Sequence, residues 1–134
     1  MWYHVSVPVP AGTPEDQPVE KVIQLTHGVV TYLAVGFPAG CKQLVSCRVY
    51  HWEHQIFPTN PDEAACWNGG IEGGTEHYVL DMEPFDLIVR AYAPNATKDH
   101  TLTVFVNLLP LEIAEPWQGT QTAIDKIKSL FGLR

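Results

Sequence analysis

From Trp2 to Leu109 the apolar residues of this chain recur at alternate positions, in short runs cut by proline and glycine; a helical period first occurs near residue 121. Alternation with a period of two is the mark of strands buried on one side. Strands separated only by turns, with no helices between them, cannot make a parallel sheet and instead form an antiparallel sandwich or barrel. The body, residues 1–109, is therefore expected to be one β domain. Residues 110–134 form a different kind of segment.

Within the body, Val5, Val7 and Val9 share a face opposite His4 and Ser6. Pro8 and Pro10 cannot donate ladder hydrogen bonds, so Trp2 to Val9 is an edge strand or extended N-terminal arm. Further strands are predicted at 19–26, 29–35, 76–80, 87–92 and 101–109, the last being the cleanest alternation. A long strand from Gln43 to Phe57 is expected to cross the middle of a sheet, with a bulge near His51 to His54. Residues 64–74, with Gly69-Gly70 and Gly73-Gly74, read as a weak strand pair or a long loop. No internal repeat or low-complexity tract is present.

After Pro110 the chain reads as extended through Pro116 and Trp117. Thr122 and Asp125 then form a capping pair, and Ile124, Ile127, Leu130 and Phe131 fall on one helical stripe, away from Lys126 and Lys128. Gly132 supplies the stop. An amphipathic helix this short is marginal in water unless its apolar face is covered. Its cover is its own sandwich, a sister copy or a larger partner. Trp117, Ile124, Ile127, Leu130 and Phe131 are accordingly the expected interface residues.

Composition narrows the function. At 134 residues the chain is long enough to bury a core without staples. Charged residues make up 17%, below the usual value of about 25%, so part of the surface is free to be covered. The net charge is −7, with no basic cluster to neutralise phosphates, which argues against nucleic acid. No apolar run approaches the roughly 20 residues that span a bilayer, and no signal-peptide pattern opens the chain. Cys41, Cys47 and Cys66 are an odd count without a C-x-x-C pair, so free thiols are expected. Asn95-Ala96-Thr97 is read as a chance match to a glycosylation sequon.

The chemistry-bearing candidates are few. His51-Trp52-Glu53-His54 resembles a metal motif, but residues three apart on a strand face opposite ways, and polar sheet positions explain it better. No G-x-S-x-G occurs, and neither Cys41 nor Cys47 sits where its thiol would be activated. The carboxylates Asp81, Glu83 and Asp86 are read as turn residues, not as a calcium site. Trp52, Trp67 and Tyr78 are either a sugar-stacking platform or part of the aromatic core. No catalytic residue, cofactor or metal is expected.

Several turns carry a family resemblance. Gly36-Phe37-Pro38-Ala39-Gly40-Cys41, His54-Gln55-Ile56-Phe57-Pro58-Thr59-Asn60 with the Gly-rich stretch after it, Pro84-Phe85-Asp86-Leu87, Tyr92 to Asn95 and Asp99-His100-Thr101 resemble the turns and strand starts of small jelly-roll proteins of tailed-phage virions. The likeness spans about residues 28 to 109. It implies an all-β, antiparallel jelly-roll-like sandwich with an extended N-terminal strand and one C-terminal amphipathic helix. It also implies a non-enzymatic structural role in a virion, as a decoration, cement or minor capsid or connector protein. Such a protein assembles as a homo-oligomer and contacts a major capsid or other virion protein. The alternatives are a carbohydrate- or ligand-binding β-sandwich and a cupin-like metalloprotein.

Overall fold

In the computed structural model, described here for residues 1–110, eight strands form two sheets that pack face to face. The strands are β1 (Trp2–Val9), β2 (Val19–Gln24), β3 (Gly28–Phe37), β4 (Ser46–His51), β5 (His54–Phe57), β6 (Gly70–Leu80), β7 (Asp86–Tyr92) and β8 (His100–Pro110). The first sheet has the order β1-β8-β3-β6 and the second β2-β7-β4-β5. All pairings are antiparallel. The described residues contain no helix, and the expected tail helix lies outside them.

This order is that of a jelly roll, and the register shows how it arises. β1 pairs with β8, β2 with β7, β3 with β6 and β4 with β5. Each pair is centred within a few residues of the turn Trp52-Glu53. The chain is one long hairpin, rolled so that successive paired segments fall alternately in the two sheets. Rolling brings β3 against β8 and β4 against β7, which closes both sheets.

Alternation decides which side faces in. Val7, Val9, Val30, Leu33, Val35, Leu80, Leu102, Val104, Val106 and Leu108 line the inner face of the first sheet. Val49, Leu87, Val89, Ala91 and Cys47 line that of the second. Leucines and valines of this kind each contribute roughly 1.5–3 kcal/mol when fully buried. β1 does form a sheet edge, with Val5, Val7 and Val9 inward and His4 and Ser6 outward.

Two expectations require correction. The stretch from Gln43 to Phe57 is two strands, β4 and β5, paired through His51 and His54. The reversal falls at Trp52-Glu53, with Trp52 at φ +59°, a backbone usually given to Gly or Asn. Without either residue, the turn left no signal in the sequence. The Gly-rich stretch before residue 76 belongs to β6, which runs unbroken from Gly70. Between Val30 and Tyr32 the register shifts against both neighbours, and Thr31 is the extra residue opposite β8. Its hydroxyl donates to the Asn107 carbonyl at 3.3 Å.

The glycine at 73 is required by this packing. Its φ is +122°, and a β-carbon there would collide with the Leu33 carbonyl and come 2.7 Å from the Ala34 Cα. Gly73→Ala is expected to destabilise the domain by about 1–3 kcal/mol, the usual cost of forcing a side chain into such backbone. Urea denaturation would measure it, with Gly12→Ala, which meets no neighbouring atom, as the control for the positive φ alone.

Candidate interaction surfaces

The two sheets present opposite chemistries to the outside. On the second sheet, β4 and β7 each carry an Arg-x-Tyr triplet, Arg48-Val49-Tyr50 and Arg90-Ala91-Tyr92. Register sets Arg48 directly opposite Arg90. Each arginine then leans on the tyrosine of the other strand. Arg90 lies 4.6 Å from the Tyr50 ring centroid and Arg48 5.8 Å from that of Tyr92.

Like charges directly opposed on a sheet repel, and acceptors on both sides offset this. Glu20 on β2, itself opposite Arg90, accepts a hydrogen bond from its Nε at 2.9 Å. Arg48 donates to the carbonyls of Glu63 at 3.2 Å and Asp62 at 3.0 Å and faces Glu15 at 3.8 Å. Two open pockets, each of about 310 Å³, flank this cluster and share Arg48 and Tyr50. One is rimmed by Glu15, Asp16 and Glu20, the other by Glu53, His54 and Asp62. The repeated triplet was visible in the sequence. What gives it meaning is the β4–β7 register, which the sequence did not disclose.

The outer face of the first sheet is largely uncharged and mixed: Trp2, Phe105, Ile71, Val79 and Leu109 alternate with His4, Ser6, Thr75, His77, Thr101, Thr103 and Asn107, and the Met1 ammonium donates to Asn107 Oδ1 at 3.2 Å. Its four strands contain no lysine, arginine or aspartate, and their two carboxylates, Glu72 and Glu76, are both on the edge strand β6. Trp2 meets Tyr32 edge-on at 5.2 Å, and His4 meets Phe105 at 5.1 Å. In the middle of the face the Phe105 ring lies over Gly36, 3.2 Å from where a β-carbon would stand, and Ala34 is fully covered. Around them Trp2, Ile71, Val79 and Leu109 stand exposed. The Met1 carbonyl accepts from the Leu108 N–H at 2.8 Å, so the start of β1 and the end of β8 lie side by side on this sheet.

At the rims, polar side chains tie the layers together. His51 is buried, not the surface residue expected of it. Its Nε2 donates to the Pro84 carbonyl at 2.9 Å, which leaves Nδ1 to accept from the Tyr78 hydroxyl at 2.7 Å. Both ring nitrogens are therefore occupied. Tyr78 is held above the usual phenol range, first by burial and then by Asp81. It is thus a strut between sheets, and it does not join Trp52 and Trp67 in a platform. Among the described residues, no three His, Cys, Asp or Glu side chains come together as metal ligands.

The Gln55 amide nitrogen lies 2.9 to 3.1 Å from the carbonyls of Pro58, Asn60 and Glu63 and gathers the loop after β5. Asn68 Oδ1 accepts from the N–H groups of Gly40 and Lys42, fastening the Phe37-Pro38-Ala39-Gly40 turn to the loop before β6. The turns quoted for the virion resemblance are thus closures of the sandwich ends.

The three cysteines are free thiols. Burial pushes Cys41 up, and pushes Cys47 up to about 12 with a further contribution from Glu72. Neither thiol is a nucleophile in the folded chain. Glu72 turns inward beside Cys47, and its Oε2 is buried without a hydrogen-bond partner. Burial holds its carboxyl above the usual range, partly offset by the Cys66 backbone N–H. The predicted interface residues Trp117, Ile124, Ile127, Leu130 and Phe131 lie outside the described residues.

Two outcomes follow for the rims. Because Glu72 binds its proton more tightly folded than unfolded, its stabilisation is complete below the unfolded carboxylate pKa, about 4.3. It is lost as pH rises through the folded value. Glu72→Gln is therefore expected to gain stability over the parent at pH 7.5 and to lose that gain near pH 4, read by urea unfolding at both. Tyr78→Phe leaves the buried His51 Nδ1 without a donor and is expected to cost about 1–3 kcal/mol. Thermal and urea unfolding of the variant would check it.

No family model matches this chain, and no curated protein matches it. Among solved structures it has likeness to one titled as the crystal structure of FLHE, at 15% identity and a TM-score of 0.36, covering 80% of this chain and 96% of that one. A second is a family two carbohydrate esterase from Cellvibrio japonicus, at 8% identity and a TM-score of 0.35, covering 82% of this chain and 36% of that one. Likenesses this distant carry no argument about function.

Proposed function

We propose that this chain is a non-enzymatic structural protein of a viral particle, of the decoration, cement or minor capsid type. It attaches through residues 110–134 and through contacts between copies, on a lattice supplied by a major capsid or other virion protein. A jelly roll hosts many functions. The observation that carries the choice is the outer face of the first sheet. A solitary domain in water seldom leaves a whole sheet without a lysine or arginine while exposing Trp2, Ile71, Val79 and Leu109. A module packed among its neighbours has reason to. The turn-by-turn resemblance of residues 28 to 109 to small virion jelly rolls agrees with this reading.

Many weak attachments on a symmetric lattice suffice for stable binding, because each engaged copy raises the effective concentration of the next. Among the described residues the inner faces of both sheets already form one continuous buried apolar cluster. A chain ending at residue 110 is expected to remain folded and to lose the oligomeric state of the full chain, by solution mass at several concentrations. A full chain that stays monomeric throughout would refute the reading.

A second reading, a glycan- or ligand-binding sandwich, is favoured by the crossed Arg-x-Tyr pairs and the pockets beside them. Guanidinium donors next to carboxylate acceptors suit a neutral polyhydroxylated ligand. A saturable change in tryptophan fluorescence with oligosaccharides, lost in Tyr50→Ala, would support it over the structural role.

A further inference from the structure

We propose that the free edge of β6 is a contact between two copies of this chain: β6 pairs antiparallel with β6 of a second copy about a two-fold axis at Thr75, joining their first sheets into one eight-stranded sheet. This rests on the reading that copies of the chain touch one another, and it names the strand through which they do so.

The sandwich has four sheet edges, β1 and β6 in the first sheet and β2 and β5 in the second. An open edge invites a further strand, and folded domains blunt their edges with proline, with lysine or by keeping the strand short. Three of the four are blunted in this way. β1 contains Pro8 and is followed by Pro10. β2 has six residues and exposes Glu20 and Lys21. β5 has four residues and runs straight into Pro58. By contrast β6 extends for 11 residues without proline, lysine or arginine, and among the described residues only β3 pairs with it. Its outward row exposes Ile71 at 60% and Val79 at 43%.

The strand is complementary to itself, and this selects a second copy as the occupant. A two-fold axis sets each residue opposite the one equally far beyond the axis. With the axis at Thr75, all 11 residues of Gly70–Leu80 find a place. Ile71 then faces Val79 of the second copy, and Val79 faces its Ile71, so the exposed apolar groups cover each other. His77 falls opposite Gly73, and Thr75 opposite its own equivalent. On the inward row Glu72 faces Tyr78 and Glu76 faces Gly74, so no carboxylate meets another. Moving the axis to residue 74 would set Glu72 against Glu76, and moving it to residue 76 would set Glu76 against itself. Like charges directly opposed on a sheet destabilise it. The two inward carboxylates, which also discourage a stray strand, thus fix the register. The His77 N–H, which donates to Glu76 Oε1 at 3.3 Å, gains the Gly73 carbonyl of the second copy in exchange.

The test uses the full chain in a Cys66→Ser background, since Cys41 and Cys47 are buried. Thr75→Cys, treated with a short bismaleimide, is expected to give a covalent dimer. Ile71→Cys mixed with Val79→Cys should give a dimer holding one chain of each kind. Ile71→Cys alone should give none, because the two sites lie eight residues apart along the paired strands, about 27 Å. In the Thr75→Cys chain, adding Ile71→Lys/Val79→Lys should abolish the product by setting lysine against lysine, whereas Ile71→Glu/Val79→Lys should restore it. All these positions are exposed, and a parent-like circular dichroism spectrum checks that each variant is folded. An oligomeric parent whose Thr75→Cys variant gives no covalent dimer would overturn the β6 contact and leave assembly through other surfaces standing. Cross-linking of Ile71→Cys alone as readily as of the mixture would overturn the register. A parent chain that is monomeric at every concentration would remove this contact and the assembly reading together.

Discussion

Everything in this molecule depends on the dry contact between two sheets, made by Val and Leu side chains at alternate positions of one rolled hairpin. Each strand on its own is too short to be stable. Pairing about the Trp52-Glu53 turn sets the register, and register places Val49, Val89, Leu102 and Val104 inward together. A slip of one residue would turn these groups out to water. The bulge at Thr31 shows how tightly this is held: Val30 and Leu33, three apart, both reach the core only because an extra residue is inserted between them.

Once the inner faces are committed, the outer faces are free to differ, and they do. The second sheet spends its outer positions on charge and aromatic stacking, with Arg48 and Arg90 opposed and held by Glu20, Tyr50, Tyr92 and main-chain carbonyls. The first sheet fills its outer positions with aromatic, aliphatic, hydroxyl and imidazole side chains and carries no lysine, arginine or aspartate. The rims are closed by Tyr78, His51, Gln55 and Asn68, so the functional contrast rests on a fixed frame.

The all-β sandwich was legible because alternation survives in a single sequence; β1, β3, β7 and β8 could be placed from it within a few residues. The β4–β5 hairpin was not, since a Trp-Glu reversal contains neither Gly nor Asn. Nor was the continuity of β6, whose glycines imitate a loop; Gly73 is there because Ala34 and the Leu33 carbonyl crowd it. His51 read as a surface residue because its partners, Tyr78 and Pro84, are remote in sequence and only rolling brings them near. The paired Arg-x-Tyr triplets stayed silent for the same reason. Contacts between distant strands decide the surface chemistry, and local patterns carry no record of them.

The neighbouring positions of Met1 and Leu108 have a topological consequence. A chain that returns to its starting point is nearly a closed loop, and a loop can be opened anywhere. Joining the two ends of the body through a short bridge and cutting at Trp52-Glu53 would keep every ladder. It would also turn the pairing that is most remote along the chain into a local hairpin. Folding speed follows sequence separation. The rearranged molecule would then have β1 and β8 as a local pair, with the same sandwich as its end point.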